Sequence, residues 1–525
     1  MKKMGVNTVL RAAAFAVLAS LPTISWAADL KIGFSAPATT LDPQFHNASQ
    51  NIAVSRNMFD TLVQMDPDSR IIPALAESWR VVDDNTWEFK LRPAKFSDGS
   101  PVTAEDVVWS IDRPATIPNS PSSFGIYTRP IVEKKIIDDR TVQLKTAAPY
   151  PLLLADLTNV FIVSKKATEG LTSDKFLTGQ GVVGSGPYKF KSYTPDDRVI
   201  MTANENYWGG KPAWDTVEIR FLPNDSARLS ALLSGDVDVI ENIPTPDLEA
   251  VKNNKNLVVG EKMSHRLIFL FLDSGRDETP GVTAADGSPL KANPFKDLRV
   301  RKAVNLAIDR EAIASRLMQG LAFPTNNIVT ETMQGYVPGI KPAYDPEQAK
   351  KLLAEAGYDK GFRLVLASPN NRLINDAKVA QALAQMLTRV GIRTSVDAVP
   401  FAVINTRGNK GEFSSVMMGW GAQTAEASSP IRAMIACTNK EKGWGPVNWG
   451  NYCNPELDAV TAKALNTIDD AARAKLLQEA TQIVHDDVAI VPLYFQANTW
   501  AAKPGITITP RMDERTSALM FAPAK

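Results

Sequence analysis

Two cysteines carry the plainest chemical signal in the chain. Cys437 and Cys453 stand sixteen positions apart, and because the N-terminus indicates export, the pair favours one disulfide. Closing a loop of this size stabilises a fold by roughly 3 kcal/mol in the chain-entropy model. A metal centre or a catalytic thiol pair lacks support, because no CxxC is present and the three histidines, His46, His265 and His485, are far apart in sequence.

Glycines and acids elsewhere form only weak motifs. Gly179–Gly184 (GQGVVG) fits the spacing of a dinucleotide-binding turn, but such a turn must open a helix, and Pro187 prevents that here. We interpret this stretch as a glycine-rich crossover and predict no cofactor. Asp236 and Asp238 alternate with valines, which is typical of the polar positions of a strand rather than of a metal pair.

The N-terminal segment, residues 1–28, predicts export. Basic residues precede an apolar run over residues 12–21, and residues 25–27 (SWA) place small side chains at the two positions that a signal peptidase reads. The run of ten residues is half the roughly 20 that span a bilayer, so cleavage is favoured over a membrane anchor. No cysteine stands at the cleavage site to accept a lipid. We expect a free protein of a Gram-negative periplasm.

Length and charge narrow the function classes. The mature chain would have about 497 residues, enough for two or three domains with large cores. Lys and Arg number 58 against 57 acids, so no net field would recruit nucleic acid or an anionic membrane.

Local patterns predict the elements that must position any site. In the first half, Thr86–Leu91 alternates like a half-buried strand, Ser97–Gly99 supplies turn residues, and Thr103–Asp106 begins a capped helix. Leu267–Leu272 reads as a buried strand and a domain crossing. The second half alternates helices and strands, which favours an α/β lobe with a largely parallel sheet. Its predicted elements are helix Leu298–Met318 with Asp297 as its N-cap, helix Pro346–Ala356, strand Phe362–Ala367, helix Asp376–Val390, strand Ile392–Val399 and strand Ser415–Trp420.

Five motifs resemble, in the right order and over nearly all of the mature chain, one protein family. They are WEFKLRPAKFSDGSPVTAEDVVWSI, GSGPYKF, ALLSGDVDVI, LRVRKAVNLAIDREAI and VHDDVAIVPLY. They resemble the large periplasmic solute-binding proteins of peptide-type ABC importers, the bacterial extracellular solute-binding protein family 5.

This resemblance implies an α/β, two-lobed periplasmic binding protein of type II-like architecture, with an extra α/β domain inserted in the first lobe. A ligand would bind in the cleft between the lobes, and the closed monomer would be presented to an inner-membrane permease and its ATPase subunits. The first lobe would comprise residues 29–67, 184–269 and 496–525, the inserted domain residues 68–183, and the second lobe residues 270–495.

The resemblance also implies where a peptide amine would bind. In dipeptide-binding relatives the segment after a strand reads Trp-x-x-Asp-x-x-Asp-Pro, and its first aspartate holds the amine. This chain has Trp420 to Ala427 at that point (WGAQTAEA), so the neutral Gln423 falls on the anchor position and the charge-assisted part of the bond is lost. Glu426 is then the nearest acid. The departure argues against an ordinary dipeptide ligand but not against the importer class.

Other candidate ligand-binding residues follow from the same resemblance. Arg372, beside Asn371 in a loop between a strand and a helix, stands about where relatives place an arginine for the ligand carboxylate, although a solvated loop arginine is the alternative. Trp420, with Gly421 beside it, would stack on or enclose the ligand unless it belongs to the core.

Two further candidates rank lower. Trp444 lies inside the predicted disulfide loop together with Trp449, and the pair would form either a second aromatic wall or, as we slightly favour, loop packing. Asn47 would face the cleft from a polar loop of the first lobe.

Two function classes remain open from the sequence. One is a transport binding protein without catalysis, which agrees with the absence of a nucleophile elbow, a zinc motif or clustered histidines from the sequence. Its ligand would be a di- or oligopeptide, an opine-like conjugate or an oligosaccharide. The other is a periplasmic hydrolase or chaperone of the same architecture, because fold does not dictate function.

The anchor hypothesis gives a direct prediction. Gln423→Asp restores a carboxylate at the position that holds the amine in dipeptide-binding relatives, so ligand choice should move toward peptides with a free amine. Calorimetry with such peptides measures the change. An unchanged peptide affinity would count against the anchor role of this position.

Overall fold

The computed structural model describes residues 28–422 and 424–524. Residues 1–27 of the predicted signal segment, and Gln423, lie outside the described residues. The described chain is a mixed α/β protein with two lobes, as predicted. No helix among these residues is both long enough and apolar enough to cross a membrane.

The strands account for the sheets of both lobes. In chain order they are β1 (Asp29–Phe34), β2 (Val63–Met65), β3 (Ile71–Pro73), β4 (Ala76–Asp83), β5 (Thr86–Leu91), β6 (Ile131–Asp138), β7 (Thr141–Thr146), β8 (Tyr188–Thr194), β9 (Arg198–Ala203), β10 (Thr216–Phe221), β11 (Val239–Glu241), β12 (Val258–Leu272), β13 (Val282–Ala284), β14 (Ala322–Pro324), β15 (Phe362–Pro369), β16 (Ile392–Val399), β17 (Ser415–Gly421), β18 (Val491–Ala502), β19 (Ile506–Ile508) and β20 (Phe521–Pro523).

Helices cover the sheets. The α-helices are α1 (Ser49–Ser55), α2 (Ala104–Thr116), α3 (Gly125–Thr128), α4 (Leu153–Leu157), α5 (Lys165–Thr168), α6 (Asp225–Ser234), α7 (Leu248–Lys252), α8 (Leu298–Leu306), α9 (Arg310–Ala312), α10 (Pro346–Glu355), α11 (Asp376–Arg389), α12 (Phe401–Asn409), α13 (Ser428–Pro430), α14 (Pro455–Leu465) and α15 (Asp470–Asp486). Short 3₁₀ or π turns occupy Ser173–Thr178, Thr245–Asp247, Pro294–Lys296, Ile313–Leu317, Ile431–Ile435 and Ala518–Met520.

One large sheet runs through both lobes. Within the described residues it has twelve strands, in the order β13-β15-β17-β12-β18-β11-β1-β10-β9-β8, with β14 added on β18 and β16 on β15. The long strands β12 and β18 pair antiparallel at its centre. The C-terminal half of β12 pairs with β17, whereas the C-terminal end of β18 pairs with β11. These two strands therefore belong to both halves of the sheet.

The second half of β12 carries apolar side chains on both faces of the sheet. Leu267, Phe269 and Phe271 point into one hydrophobic core, and the residues between them point into another on the opposite face of the sheet. A strand covered on both faces reads as a continuous apolar run, so the buried strand predicted at Leu267–Leu272 is confirmed. The observed strand begins nine residues earlier, at Val258. The apolar pattern did not reveal this part of the strand, because Val258–Arg266 is only partly apolar.

The stretch that combines a strand, a turn and a capped helix is also confirmed. The strand is β5, inside the four-stranded sheet β4-β5-β7-β6. Helix α2 begins with a capping box, in which the Asp106 carboxylate accepts from the Thr103 backbone N–H at 2.9 Å and the Thr103 hydroxyl accepts from the Asp106 N–H at 3.4 Å.

Two predictions about the second half were wrong. The sheet is mixed rather than largely parallel: β15 runs parallel to β16 and β17, but β12 is antiparallel to β17 and β18. The helix predicted at Leu298–Met318 is broken after Leu306. Asp309 caps a new turn by accepting from the Ala312 N–H at 3.0 Å, and the buried Arg310 guanidinium donates to carbonyl oxygens that include that of Pro492. Apolar periodicity alone did not reveal these competing bonds.

The glycine-rich crossover packs tightly against the first lobe. A Cβ at Gly184 would lie 2.0 Å from the Met58 carbonyl oxygen, so a side chain is excluded there. The Gly186 N–H donates to the same oxygen at 3.0 Å. Gly184 and Gly186 therefore allow the close approach of two backbone segments at Met58.

Gly184→Ala should lower the free energy of unfolding by about 1–3 kcal/mol, because the new methyl group overpacks a rigid backbone contact. Thermal unfolding would show this as a lower melting temperature. Gly339→Ala is the matched control, since Gly339 is exposed and a Cβ added there would have no atom within 4 Å. Equal melting temperatures for the two variants would contradict the packing role.

Candidate ligand-binding site

The centre of the candidate site is an irregularity in β12. Its pairing with β18 shifts between Met263 and Leu267, which bends the strand where the two halves of the sheet meet. Here the His265 N–H donates to the Met512 carbonyl at 3.3 Å, and the Ala422 N–H donates to the His265 carbonyl at 3.4 Å. The C-terminal segment of the chain and the end of β17 therefore converge on this bend.

An ion pair holds the C-terminal segment to the bend. Arg266 contacts Glu514 through two nitrogen–oxygen pairs, Nε to Oε1 at 3.0 Å and Nη2 to Oε2. Burial alone would raise the pKa of Glu514, but the Arg266 charge and its hydrogen bonds outweigh burial and lower it. Glu514 has a φ of 58°, which a non-glycine residue adopts only at a cost of roughly 1–3 kcal/mol, so the surrounding contacts must enforce this conformation.

Two arginines of the first lobe lie beside the ion pair. Arg515 is buried, and its Nη2 donates to Asn159 Oδ1 at 2.7 Å, whereas its Nη1 has no partner among the described residues. Arg56 Nη2 donates to the Thr158 carbonyl at 3.1 Å, and its buried Nε is likewise without an acceptor there. Burial, followed by the charge of the other arginine, lowers the pKa of Arg56.

The second lobe presents donors of the same kind. Trp420, on β17, is half-buried against the core, and its indole Nε1 is buried without a partner in the described part of the chain. Arg432 is half-buried, and its Nε is also buried without a partner in the described part of the chain. A buried N–H without an acceptor costs about 1–3 kcal/mol, so groups of this kind on both lobes indicate places prepared for acceptors.

A carboxyl group of the first lobe faces the second lobe. The Tyr150 hydroxyl donates to Asp156 Oδ2 at 2.7 Å, and Asp156 is 5% exposed. Burial raises the pKa of Asp156 to about 7, and the charges of Arg432 and Glu426 act on it as well. The segment 150–156 and the loop 426–432 are therefore close enough to interact electrostatically.

Arg372 and Asn371 lie together in the loop after β15. Arg372 is exposed at the surface, its guanidinium lies 5.4 Å from the centre of the Phe401 ring, and partial burial followed by the Arg266 charge lowers its pKa. The neighbouring Leu373 packs against Gly419 of β17, which brings this loop next to the strand that carries Trp420. The Asn371 side-chain oxygen accepts from the Phe401 N–H at 2.9 Å and so fixes the start of α12.

Glu426 is occupied by partners within its own lobe. It is 4% exposed, its Oε2 lies 3.1 Å from Arg473 Nε, and its other oxygen accepts from the Ser428 hydroxyl. Gly421, at the end of β17, pairs with Arg266. Gly421 thus reaches the bend, whereas Glu426 lies in the lobe interior.

The remaining candidates lie in packed surroundings. The disulfide between Cys437 and Cys453 is present, with a Cα–Cα distance of 4.4 Å. Trp444 is buried in the core of the second lobe, and Trp449 donates to Asn409 at 3.2 Å. Asn47 donates to the Tyr127 hydroxyl at 3.0 Å.

Sequence reasoning did not single out Arg56, Asp156, Arg432 or the segment Arg511–Arg515. Arg511–Arg515 (RMDER) carries alternating charges, which ordinarily mark a solvated segment. The high density of charge in this segment, close to the point where the chain is predicted to return to the first lobe, was the one sequence signal for a site. The segment could not be assigned from it, because residues that it contacts, such as Arg266, lie hundreds of positions away in the chain.

A two-lobed α/β protein whose lobes share two strands and meet at a polar crevice belongs to the class of solute-binding proteins. The chain is a member of the bacterial extracellular solute-binding proteins, family 5, whose family model matches residues 70–442. Members of this family are extracellular or periplasmic binding proteins rather than enzymes.

Individual relatives cover almost the whole chain. The dipeptide-binding protein of Escherichia coli K12 is 29% identical over 448 residues, 80% of this chain and 79% of the relative. Glutathione-binding protein GsiB of Salmonella typhimurium is 28% identical over 507 residues, 93% of each chain.

Solved structures share the fold at lower identity. The murein tripeptide-binding protein MppA, in its unliganded open form, has a TM-score of 0.79 at 22% identity and covers 95% of this chain and 98% of its own. DppA of Helicobacter pylori, in complex with the peptide STSA, has a TM-score of 0.73 at 23% identity and covers 95% and 99%.

Asp156→Asn should make the protein more stable at pH 8 by on the order of 1–3 kcal/mol. An acid whose pKa is raised on folding binds more protons in the folded than in the unfolded state between about pH 4 and 7, so wild-type stability falls as pH rises through this window. The difference between variant and wild type should therefore disappear near pH 4. Melting temperatures measured across pH check this, with Asp84→Asn, at an exposed turn, as the control. A difference that does not depend on pH would contradict the assignment.

Proposed function

We propose that this protein is the substrate-binding component of a peptide-type ABC importer and captures a peptide-type solute between its two lobes. Membership of family 5 supports the class, and relatives that bind dipeptides and glutathione support the peptide-type solute. They do not favour the opine-like or oligosaccharide ligands, or the hydrolase or chaperone, that the sequence left open.

One observation carries the proposal: both lobes contribute buried N–H groups that have no acceptor among the described residues. Arg56 and Arg515 contribute them from the first lobe, and Trp420 and Arg432 from the second. A peptide brings a carboxylate and a strip of amide carbonyls that these donors would satisfy. Because the donors belong to both lobes, a solute that contacts both stabilises the closed form over the open form.

The proposed ligand contacts combine this geometry with the resemblance to dipeptide-binding relatives. Trp420 and Gly421, at the end of β17, form one wall, and Trp420 donates its indole N–H to a carbonyl. On the second lobe, Arg372 and Arg432 attract a carboxylate of the ligand. Gln423, together with the neighbouring Thr424 hydroxyl, whose oxygen is buried without a partner among the described residues, accepts from the amine. The amine site is thus neutral, unlike that of the dipeptide-binding relatives.

Other predicted residues act by positioning. Glu426 fixes the loop that follows β17 through its ion pair with Arg473. Asn371 fixes the start of α12, and Asn47 holds its loop against Tyr127. Trp444 packs inside its lobe and stabilises the disulfide loop.

We further propose the domain limits and the cellular setting. The first lobe comprises residues 29–67, 184–269 and 496–525, the inserted domain residues 68–183, and the second lobe residues 270–495; the register shift in β12 supports the limit near 269. The signal segment is cleaved, and the monomer works in the periplasm without a lipid anchor. It delivers the solute to the inner-membrane permease and its ATPase subunits.

Small-angle X-ray scattering tests the closure directly. Adding a mixture of short peptides should lower the radius of gyration, because the lobes close on the solute. Mass spectrometry of the same mixture should return every peptide intact. Measurable cleavage, or a radius of gyration that no peptide changes, would overturn the proposed function.

Arg372 is exposed in the structure, so the effect of Arg372→Ala depends on lobe closure burying its ion pair with the ligand. With the pair buried, the substitution should weaken a carboxylate-bearing peptide by about 2–5 kcal/mol, because the ligand charge is left desolvated and unpaired. Arg389→Ala, at an exposed position on α11 of the same lobe, is the matched control and should leave affinity unchanged. Isothermal titration calorimetry measures both. An unchanged affinity for Arg372→Ala would return this arginine to a solvated loop role.

A further inference from the structure

A cavity of about 100 Å³ lies in the first lobe next to the crevice. Three arginines, Arg56, Arg511 and Arg515, and one aspartate, Asp60, are among its lining residues. A cavity needs roughly 10–15 Å³ to hold a water molecule, so this one has room for a group the size of a carboxylate. We call it the Arg56–Arg515 pocket.

Two of the three arginines in the pocket have no ion-pair partner of their own among the described residues. Arg511 is neutralised by Asp513, whose oxygen lies 2.6 Å from its guanidinium. Asp60 accepts from the Trp208 indole at 2.8 Å, and burial raises its pKa to about 6. Arg56 and Arg515 form no ion pair with a carboxylate in the described part of the chain, and each is hydrogen-bonded only to a neutral oxygen.

The free hydrogen-bonding capacity lies on the same two arginines. Arg515 is 6% exposed, and its buried Nη1 has no acceptor among the described residues, as is also true of Arg56 Nε. Asp513 attracts both arginines electrostatically but forms its ion pair with Arg511. Because Arg515 is buried and Arg56 is half-buried, an anion that pairs with them would offset the cost of burying their charges. Guanidinium groups recognise carboxylates with particular strength because they offer paired donors.

The pocket adjoins a cavity at the bend. Arg515 and Met65 line both the Arg56–Arg515 pocket and a smaller cavity that also contacts His265, Arg266 and Gly421. Gly421 ends the strand that carries Trp420. Arg515 therefore lies between the pocket and the part of the crevice next to Trp420.

We propose that the Arg56–Arg515 pocket is a subsite for an anionic group of the solute, so that the preferred solutes are peptide-type compounds with an acidic side chain or a second carboxylate. This inference rests on the proposed function and names the substrate class for that site. Arg372 and Arg432 serve the first carboxylate, and the pocket serves the second. A free inorganic anion has the same chemistry and must be distinguished by experiment.

A peptide library tests the preference. The wild-type protein is incubated with an equimolar library of di-, tri- and tetrapeptides in which each acidic peptide has its amide counterpart, and retained peptides are identified by mass spectrometry. Acidic peptides should be retained roughly tenfold better than their counterparts. Arg56→Gln should bring this ratio close to one, and Arg56→Lys should keep part of it. Arg80→Gln, exposed on β4, is the control and should keep all of it.

A substitution at Arg56 disturbs folding less than one at Arg515. Arg515 is buried, whereas Arg56 is only half-buried, so Arg56 is the residue to substitute, and melting temperatures verify folding. Equal retention of acidic and amide peptides by the wild type, or an acidic preference that survives in Arg56→Gln, would overturn the inference while the proposed function stands. Retention of no peptide at all would remove the proposed function and the inference with it.

Adding sulfate without peptide distinguishes a pocket that binds a free anion from one that binds a carboxylate of the solute. If sulfate raises the melting temperature through Arg56 and the library shows no acidic preference, the pocket holds a free anion and the inference is wrong. If the acidic preference depends on Arg56 and excess sulfate competes with it, the solute's own carboxylate occupies the pocket and the inference is supported.

Discussion

The pairing of β12 with β18 is the constraint on which the rest of the molecule depends. Both strands belong to the two halves of one sheet, so the lobes cannot separate, but the register shift at Ser264–Arg266 interrupts the ladder where they join. The Arg266–Glu514 ion pair then ties the C-terminal segment to this bend. Since the same segment supplies Arg515, the joint between the lobes also shapes the floor of the crevice.

Much of the fold was predictable because its signals are local. The run Leu267–Leu272 is apolar at every position, the Thr103–Asp106 box caps α2 within four residues, and Asp297 caps α8 by accepting from the Arg299 N–H at 2.8 Å. The break after Leu306 was not predictable in this way, because it depends on the Arg310 contact with Pro492, which is far away in the chain.

The candidate site residues also divide into those that the sequence could locate and those that it could not. The Trp420 segment and the Arg372 loop could be located by resemblance, since each follows a strand with a recognisable pattern. The structure places both near the bend, whereas it holds Glu426 and Asn47 in contacts of their own. Arg56, Asp156 and Arg432 became visible only in three dimensions, because no local pattern shows whether a charged side chain is removed from solvent in the folded protein. Charge balance within the fold, rather than residue type, points to the chemistry of the solute.

Native mass spectrometry of the protein as purified is the sharpest test, because a solute held between two lobes survives gentle purification and is released on unfolding. We expect one bound small molecule, peptide-type and carrying at least two carboxylates. A protein that is isolated with a neutral sugar, or that remains empty and takes up no peptide when supplied with a mixture, would contradict this expectation.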